Sequence, residues 1–328
     1  MRIVLTASRV LSLAAILLSA APASAQRFTF ERTYDMPAPA VLDVITERGA
    51  IEIVAGRADR MVVSGTVTVR VGTTNPLNAP DVARAVAAAP PVQRERTTVR
   101  LRPPSGDAER RAVTVSYRVE VPPGTALSTR TDSGATSITG VTGAISVNTE
   151  SAAIRLAQLG GTVIVATGSG AVDVSQTKGS LMVTTKSSAF KGVAIGGGLT
   201  LQTSSGAVDA TFSAPGSVSV QTGSSQIRLT GVRGPLRASS QSGRFFISGT
   251  PGGGWDLMNG SGSMELTFEG DAGMNVDLVS RSGSITMRGF TVDGTVQKLR
   301  VVGKVRGGGP VVHAETRSGS LLLKTAGR

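Results

Sequence analysis

The chain has 328 residues, a net charge of +12, 41 glycines and no cysteine, and only 3% of it is aromatic against 40% hydrophobic. This composition excludes a disulfide scaffold, thiol or Cys-ligated metal chemistry, an intrinsically disordered chain and a polytopic membrane protein. The core must be built from Val, Leu, Ile and Thr, which is a β composition.

Met1 and Arg2 open a basic start, Val10 to Ala21 are apolar, and Ala23-Ser24-Ala25 supply the small-x-small pattern cut by signal peptidase. The expectation is a cleaved Sec signal over 1–25 and a mature chain, periplasmic or extracellular, with no transmembrane segment. Losing Arg2 and Arg9 lowers the net charge from +12 to +10. With two Tyr and one Trp the chain lacks platforms for stacking bases, so nucleic acid is not the expected partner. An anionic envelope component, or an extracellular glycan or protein, is; the alternative is that the charge only keeps a β surface soluble.

From residue 26 to 118 the pattern is irregular. Val41 to Ile53 and Met61 to Val71 alternate like strands, and Thr46 to Ile53 reads as a diverged repeat. Pro80 to Ala89 suits a short helix or ordered loop, and Thr97 to Arg102 and Ala112 to Val121 suit two more strands. This segment should pair with or cap the N-terminal end of the 119–328 region, because an open sheet edge recruits other chains.

From 119 to 328 the chain repeats. The unit, apolar-x-apolar-x-Thr-x-Ser-small-x-apolar-x-apolar, places serines at 133, 151, 169, 187, 205, 224, 242, 261, 282 and 318. The dominant spacing is about 18, and the last gap is wide enough for one degenerate coil around Val301. Six residues before each serine the column is apolar, from Leu127 and Ile145 to Trp255, Val276 and Val312. Apolar positions two apart on both sides of the serine give two strands per unit, and glycines such as Gly143, Gly161 and Gly179 suit turns needing positive φ. Four residues after the serine the signs alternate, Arg155, Asp173, Lys191, Asp209, Arg228. Alternation is stabilising only if successive units stack in register, so the fold class is all-β, a single-chain parallel β-solenoid of about 18 residues per coil.

The Tyr117 to Gly124 entry, the Thr-x-Ser-Gly steps at Thr167 to Gly170 and Thr203 to Gly206, and Gly307-Gly308-Gly309 before Thr316 to Gly319 resemble the bacterial exported "putative adhesin" β-strand-repeat family. The resemblance covers nearly all of the mature chain. It implies a right-handed β-helix, and it supplies no catalytic residues.

Chemistry is sparse. His313 stands alone between inward Val312 and Ala314 and should face outward. The ten serines form a ladder that satisfies backbone groups, since a nucleophile needs only one. Asp173 and Asp209 lie two coils apart, about 9–10 Å, a spacing suited to inverting glycosidases, but Lys191 between them sets a cation against both. Asp132 and Glu150 adjoin on the bend, too few for calcium. No catalytic residue, metal site or cofactor is expected. The ladder breaks at Phe246, beside Arg228, Arg237 and Arg244, and these four are the expected binding residues for an anionic or protein partner. The reading is a non-enzymatic binding, adhesion or scaffold surface of the cell envelope; the alternatives are a polysaccharide-processing β-helix enzyme and a self-assembling structural element.

Overall fold

The computed structural model describes residues 26–36, 39–70 and 78–326; the expected export signal at 1–25 lies outside the described residues. Two large sheets, of 14 and 15 strands, stack face to face, and each repeat gives one strand to each. Val163–Thr167 runs in the 15-stranded sheet, the chain bends through Gly168-Ser169-Gly170, and Val172–Thr177 runs in the 14-stranded one. Pairing is parallel and in register: Val163 lies between Ile145 and Leu181, and Val172 between Ile154 and Phe190. The architecture is thus an all-β, largely parallel strand stack. Its β-branched residues suit the pleat, and alternation sends Val163, Val165, Val172 and Val174 inward to full burial. Each such burial stabilises by roughly 1.5–3 kcal/mol.

Two residues before most of the repeat serines stands a buried threonine. Thr131 and Thr167 are buried and accept from the backbone N–H of Gly134 and Gly170 at 2.9 and 3.3 Å. The serines two residues later point outward, touching only occasionally, as where Ser205 Oγ donates to Ser187 Oγ at 3.5 Å. The backbone-satisfying role expected of the serine column is thus shared and incomplete: Ser151 Oγ donates to the Asp132 carbonyl at 3.4 Å, while Thr149, Thr185, Thr203 and Thr222 are buried with no hydrogen-bond partner for their hydroxyls among the described residues. The return-turn glycines need correction too. Gly161 has no positive φ; it is required because a Cβ there would lie 2.2 Å from the Gly143 carbonyl oxygen. Positive φ falls three residues earlier, on Gln158, Gln176 and Ala194.

Both ends are built out of chain order. At the N-terminal end the coil of Val41–Thr46 and Ile51–Ala55 sits between the coil of Ala126–Thr131 and Thr136–Thr139 on one side and the strands Thr98–Leu101 and Val113–Val121 on the other. Antiparallel strands Arg60–Val69, Arg27–Asp35 and Val92–Glu95 then close the edges. Helix Ala79–Ala88 buries Ala79, Ala83 and Val86 against this end, and a short helix, Asp107–Ala112, absent from the sequence expectations, precedes Val113. Phe30 meets Tyr117 edge-on at 6.2 Å, and the ring occupies the space where Gly65 lacks a Cβ. Burial pushes the Tyr117 phenol's pKa upward, and its O–H donates to the Arg102 carbonyl at 3.1 Å.

At the other end the chain skips a level and returns to fill it. The coil of Val311–Ser318 and Leu321–Thr325 lies between that of Trp255–Ser261 and Met264–Phe268 and that of Met274–Ser282 and Ile285–Arg288. Val301 does not mark a degenerate coil. It belongs to Arg300–Val305, which pairs antiparallel with Met274–Ser282 and, with Asp293–Val296, caps the edge. A serine spacing of twice the repeat length fits an excursion to a cap and back as well as it fits an extra coil.

Candidate functional site

The outward face of the 14-stranded sheet carries the charge ladder. Arg155 pairs in register with Asp173, Asp173 with Lys191, Lys191 with Asp209, and Asp209 with Arg228. Among the described residues none of these five charges closes an ion pair within 4.0 Å, so their heads remain in water. Asp173→Lys would put three cations side by side. It should cost about 0.5–1 kcal/mol in chemical denaturation, shrinking with added salt, whereas Asp59→Lys in an exposed turn should cost less. Equal losses would count against coupling along the ladder.

The four expected binding residues divide between faces. Arg228 lies over the half-buried Phe246 ring at 5.3 Å, a cation–π contact made by register partners. Arg244 is exposed on the bend just before that strand. Arg237 belongs to the opposite sheet, where it pairs with Asp256 at 3.3 Å. Three of the four therefore neighbour one another and the fourth does not.

His313 does face outward, but it is not isolated. The inserted coil sets it between Asp256 and Asp277, and its Nδ1 is 3.3 Å from Asp277 Oδ2. Arg237, Asp256, His313 and Asp277 are successive register partners, and Arg300, whose own register partner is Val279, reaches the same Asp277 at 3.7 Å. No serine adjoins His313 in register, and Asp173 and Asp209 lie on the other sheet. Among the described residues no three His, Cys, Asp or Glu side chains cluster as a metal site, and no helix is long and apolar enough to cross a membrane.

One surface was not anticipated from the sequence. A groove of about 1740 Å³ runs along the bend edge of the 15-stranded sheet, bordered by Asn148, Thr184, Gln202, Gln221, Ser239 and Gln241. It extends from the Asn148 coil to that of Arg281, nine levels or about 38 Å at the strand spacing. Glu150 and Lys186 mark its first levels, and Arg281, Glu315 and Arg317 its last. Across the four levels between, Gln202 to Met258, its lining carries no charge.

A family model described as Toastrack DUF4097 matches residues 124–324. Two solved structures align over 91% of the chain. A "putative adhesin" from Bacteroides fragilis is 12% identical, is covered over 97% of its length and has a TM-score of 0.29; a "putative cell adhesion protein" from Clostridium sporogenes is 10% identical, is covered fully and has a TM-score of 0.22. Similarity at that level carries no argument about function. No curated protein matches.

Proposed function

From membership of the Toastrack DUF4097 family, to which this chain belongs, we propose an exported, non-enzymatic β-solenoid of about 18 residues per coil whose outer faces bind partners at the cell envelope. The observation that carries this reading is the 14-stranded sheet's outer face. The five charges from Arg155 to Arg228 are exposed and uncommitted to internal ion pairs, unlike Arg118 with Glu52 and Lys324 with Glu265 nearer the ends of the sheet, and they lead to the Arg228–Phe246 contact beside Arg244. A rigid row of that kind, on a chain of net charge +10 once residues 1–25 are removed, suits an anionic surface such as a phospholipid or lipopolysaccharide headgroup layer. The apolar stretch before Ala23-Ser24-Ala25 supports export. Catalysis is disfavoured because the candidate groups do not converge: Lys191 separates Asp173 from Asp209, and His313 is held by Asp277 on the other sheet.

The test is retention of the protein without residues 1–25 on phosphatidylglycerol vesicles and on lipopolysaccharide, at low and high salt. Saturable binding weakened by salt is expected, and Arg228→Ser with Arg244→Ser should reduce it several-fold. Absence of binding at both salts, or binding unchanged in that variant, overturns the reading.

A further inference from the structure

We propose that the groove along the 15-stranded sheet binds one extended, uncharged polysaccharide strand lying parallel to the stack axis, with successive sugars over successive coils. This goes beyond the anionic-surface reading and uses a different part of the molecule.

The first argument is chemical. Asn148, Gln202, Gln221 and Gln241 each offer an amide donor and acceptor, and Thr184 and Ser239 offer hydroxyls. Such a lining is complementary to a ligand that is mostly hydroxyl and acetamido groups. It does not suit a phosphate-rich ligand, which would select arginine and lysine, or a protein partner, which would need buried aromatic anchors. The neutrality is local: in the same coils the opposite sheet carries Asp209, Arg228 and Glu265.

The second argument is the uncommitted state of these groups. Gln202 and Gln221 are register partners, the arrangement in which stacked amides commonly bond along the ladder. Here they do not. None of the six bordering side chains named makes a hydrogen bond within the described residues. The donors and acceptors therefore stand open over four consecutive levels, Thr184, Gln202, Gln221 and Ser239, with Ala166 separating them from Asn148 and Met258 following them.

The third is geometry. An extended β-1,4-linked pyranose chain advances by about 5 Å per sugar, close to the strand spacing of about 4.8 Å, and turns each sugar over relative to the last, so successive levels meet alternate ring faces and the same contact recurs at every second level. On the same outward face, exposed Ile164 and Met182 pair in register beside Ala166 and Thr184, and Met258 borders the groove farther along. Those apolar surfaces suit the C–H faces of sugar rings. Lacking aromatic platforms, one level contributes only weak hydrogen bonding, and affinity must accumulate with chain length.

The experiment is calorimetry of the purified protein with β-1,4-linked oligomers of glucose and of N-acetylglucosamine, dimer against hexamer, at low and high salt. At least one hexamer should bind about tenfold or more tighter than its dimer, with affinity little changed by salt. Gln202→Ala combined with Gln221→Ala should weaken the hexamer about tenfold, since two exposed hydrogen-bonding groups are removed. Both residues are exposed, so circular dichroism and melting should be unchanged, and Arg228→Ser should leave hexamer binding intact. No hexamer binding at millimolar concentration, affinity independent of length, or no effect of the double variant overturns the proposal. Hexamer binding abolished by salt overturns it as well; the vesicle result stands or falls separately.

Discussion

Ending the chain before Val311 should open the stack from within rather than shorten it. Val312 lies between Trp255 and Val276, and Leu321 between Met264 and Ile285. Val312, Ala314, Leu321 and Leu323 are all fully buried. In an ordinary repeat array, losing a terminal coil removes one interface. Here it removes two, and the strands left behind face each other across two strand spacings, roughly 9–10 Å, too far for ladder hydrogen bonds. The expected loss of local stability is about 5 kcal/mol or more. Residues 274–305 should detach, and trypsin should cut at Arg281, Arg288, Lys298 and Arg300 while the coils below Trp255 stay resistant. Protection of 274–305 equal to that in the full chain would show that the inserted coil does not hold the end together.

Trp255→Ala should be the most damaging single substitution in the repeat region. The indole is fully buried, stacks on Phe268 with centroids 5.6 Å apart, and donates from Nε1 to the Gly234 carbonyl at 3.1 Å. Phe268 in turn meets Phe290 at 6.2 Å, so the three rings tie the coil to the capping segment. Truncation leaves a cavity and an unpaired carbonyl, a loss of about 3–5 kcal/mol. Denaturation followed by circular dichroism measures it, because this is the only tryptophan and the variant has no indole emission. A loss under about 1 kcal/mol would mean the coil collapses around the gap and that the aromatic cluster contributes little.

Much of the repeat was legible because its signals are local and periodic. The apolar column from Leu127 to Val312 is buried throughout, and the alternation from Arg155 to Arg228 gave the register. The ends were less legible, because the coil around Ser282 and the one around Ser318 carry the same pattern. Which lies outermost depends on contacts such as Leu278 against Val301, far apart in sequence. One signal was present: the serine spacing widens before Ser282, leaving room for the Glu269 to Gly273 crossing past the vacant level. The groove was readable too. Three residues before each serine, the column from Asn148 to Met258 holds no charge, but an uncharged column is a quieter signal than the alternating one that points to Arg228 and Phe246.

The ladder also constrains how such a chain can grow. Signs alternate coil by coil, and so does the small residue after the bend serine: Gly134, Ala152, Gly170, Ser188, Gly206, Ser225, Gly243. Glycine itself is required sterically, since a Cβ at Gly170 would lie 1.6 Å from the Ala152 carbonyl oxygen and one at Gly206 1.7 Å from that of Ser188, but glycine bends also stack on each other, as Gly262 does on Gly243, so the charge pattern is the stricter of the two. Duplicating a single coil would set like charges side by side, whereas duplicating two preserves the alternation. The heritable module of this middle region is therefore a pair of coils, and insertions or deletions there should be tolerated by parity, in even numbers of coils.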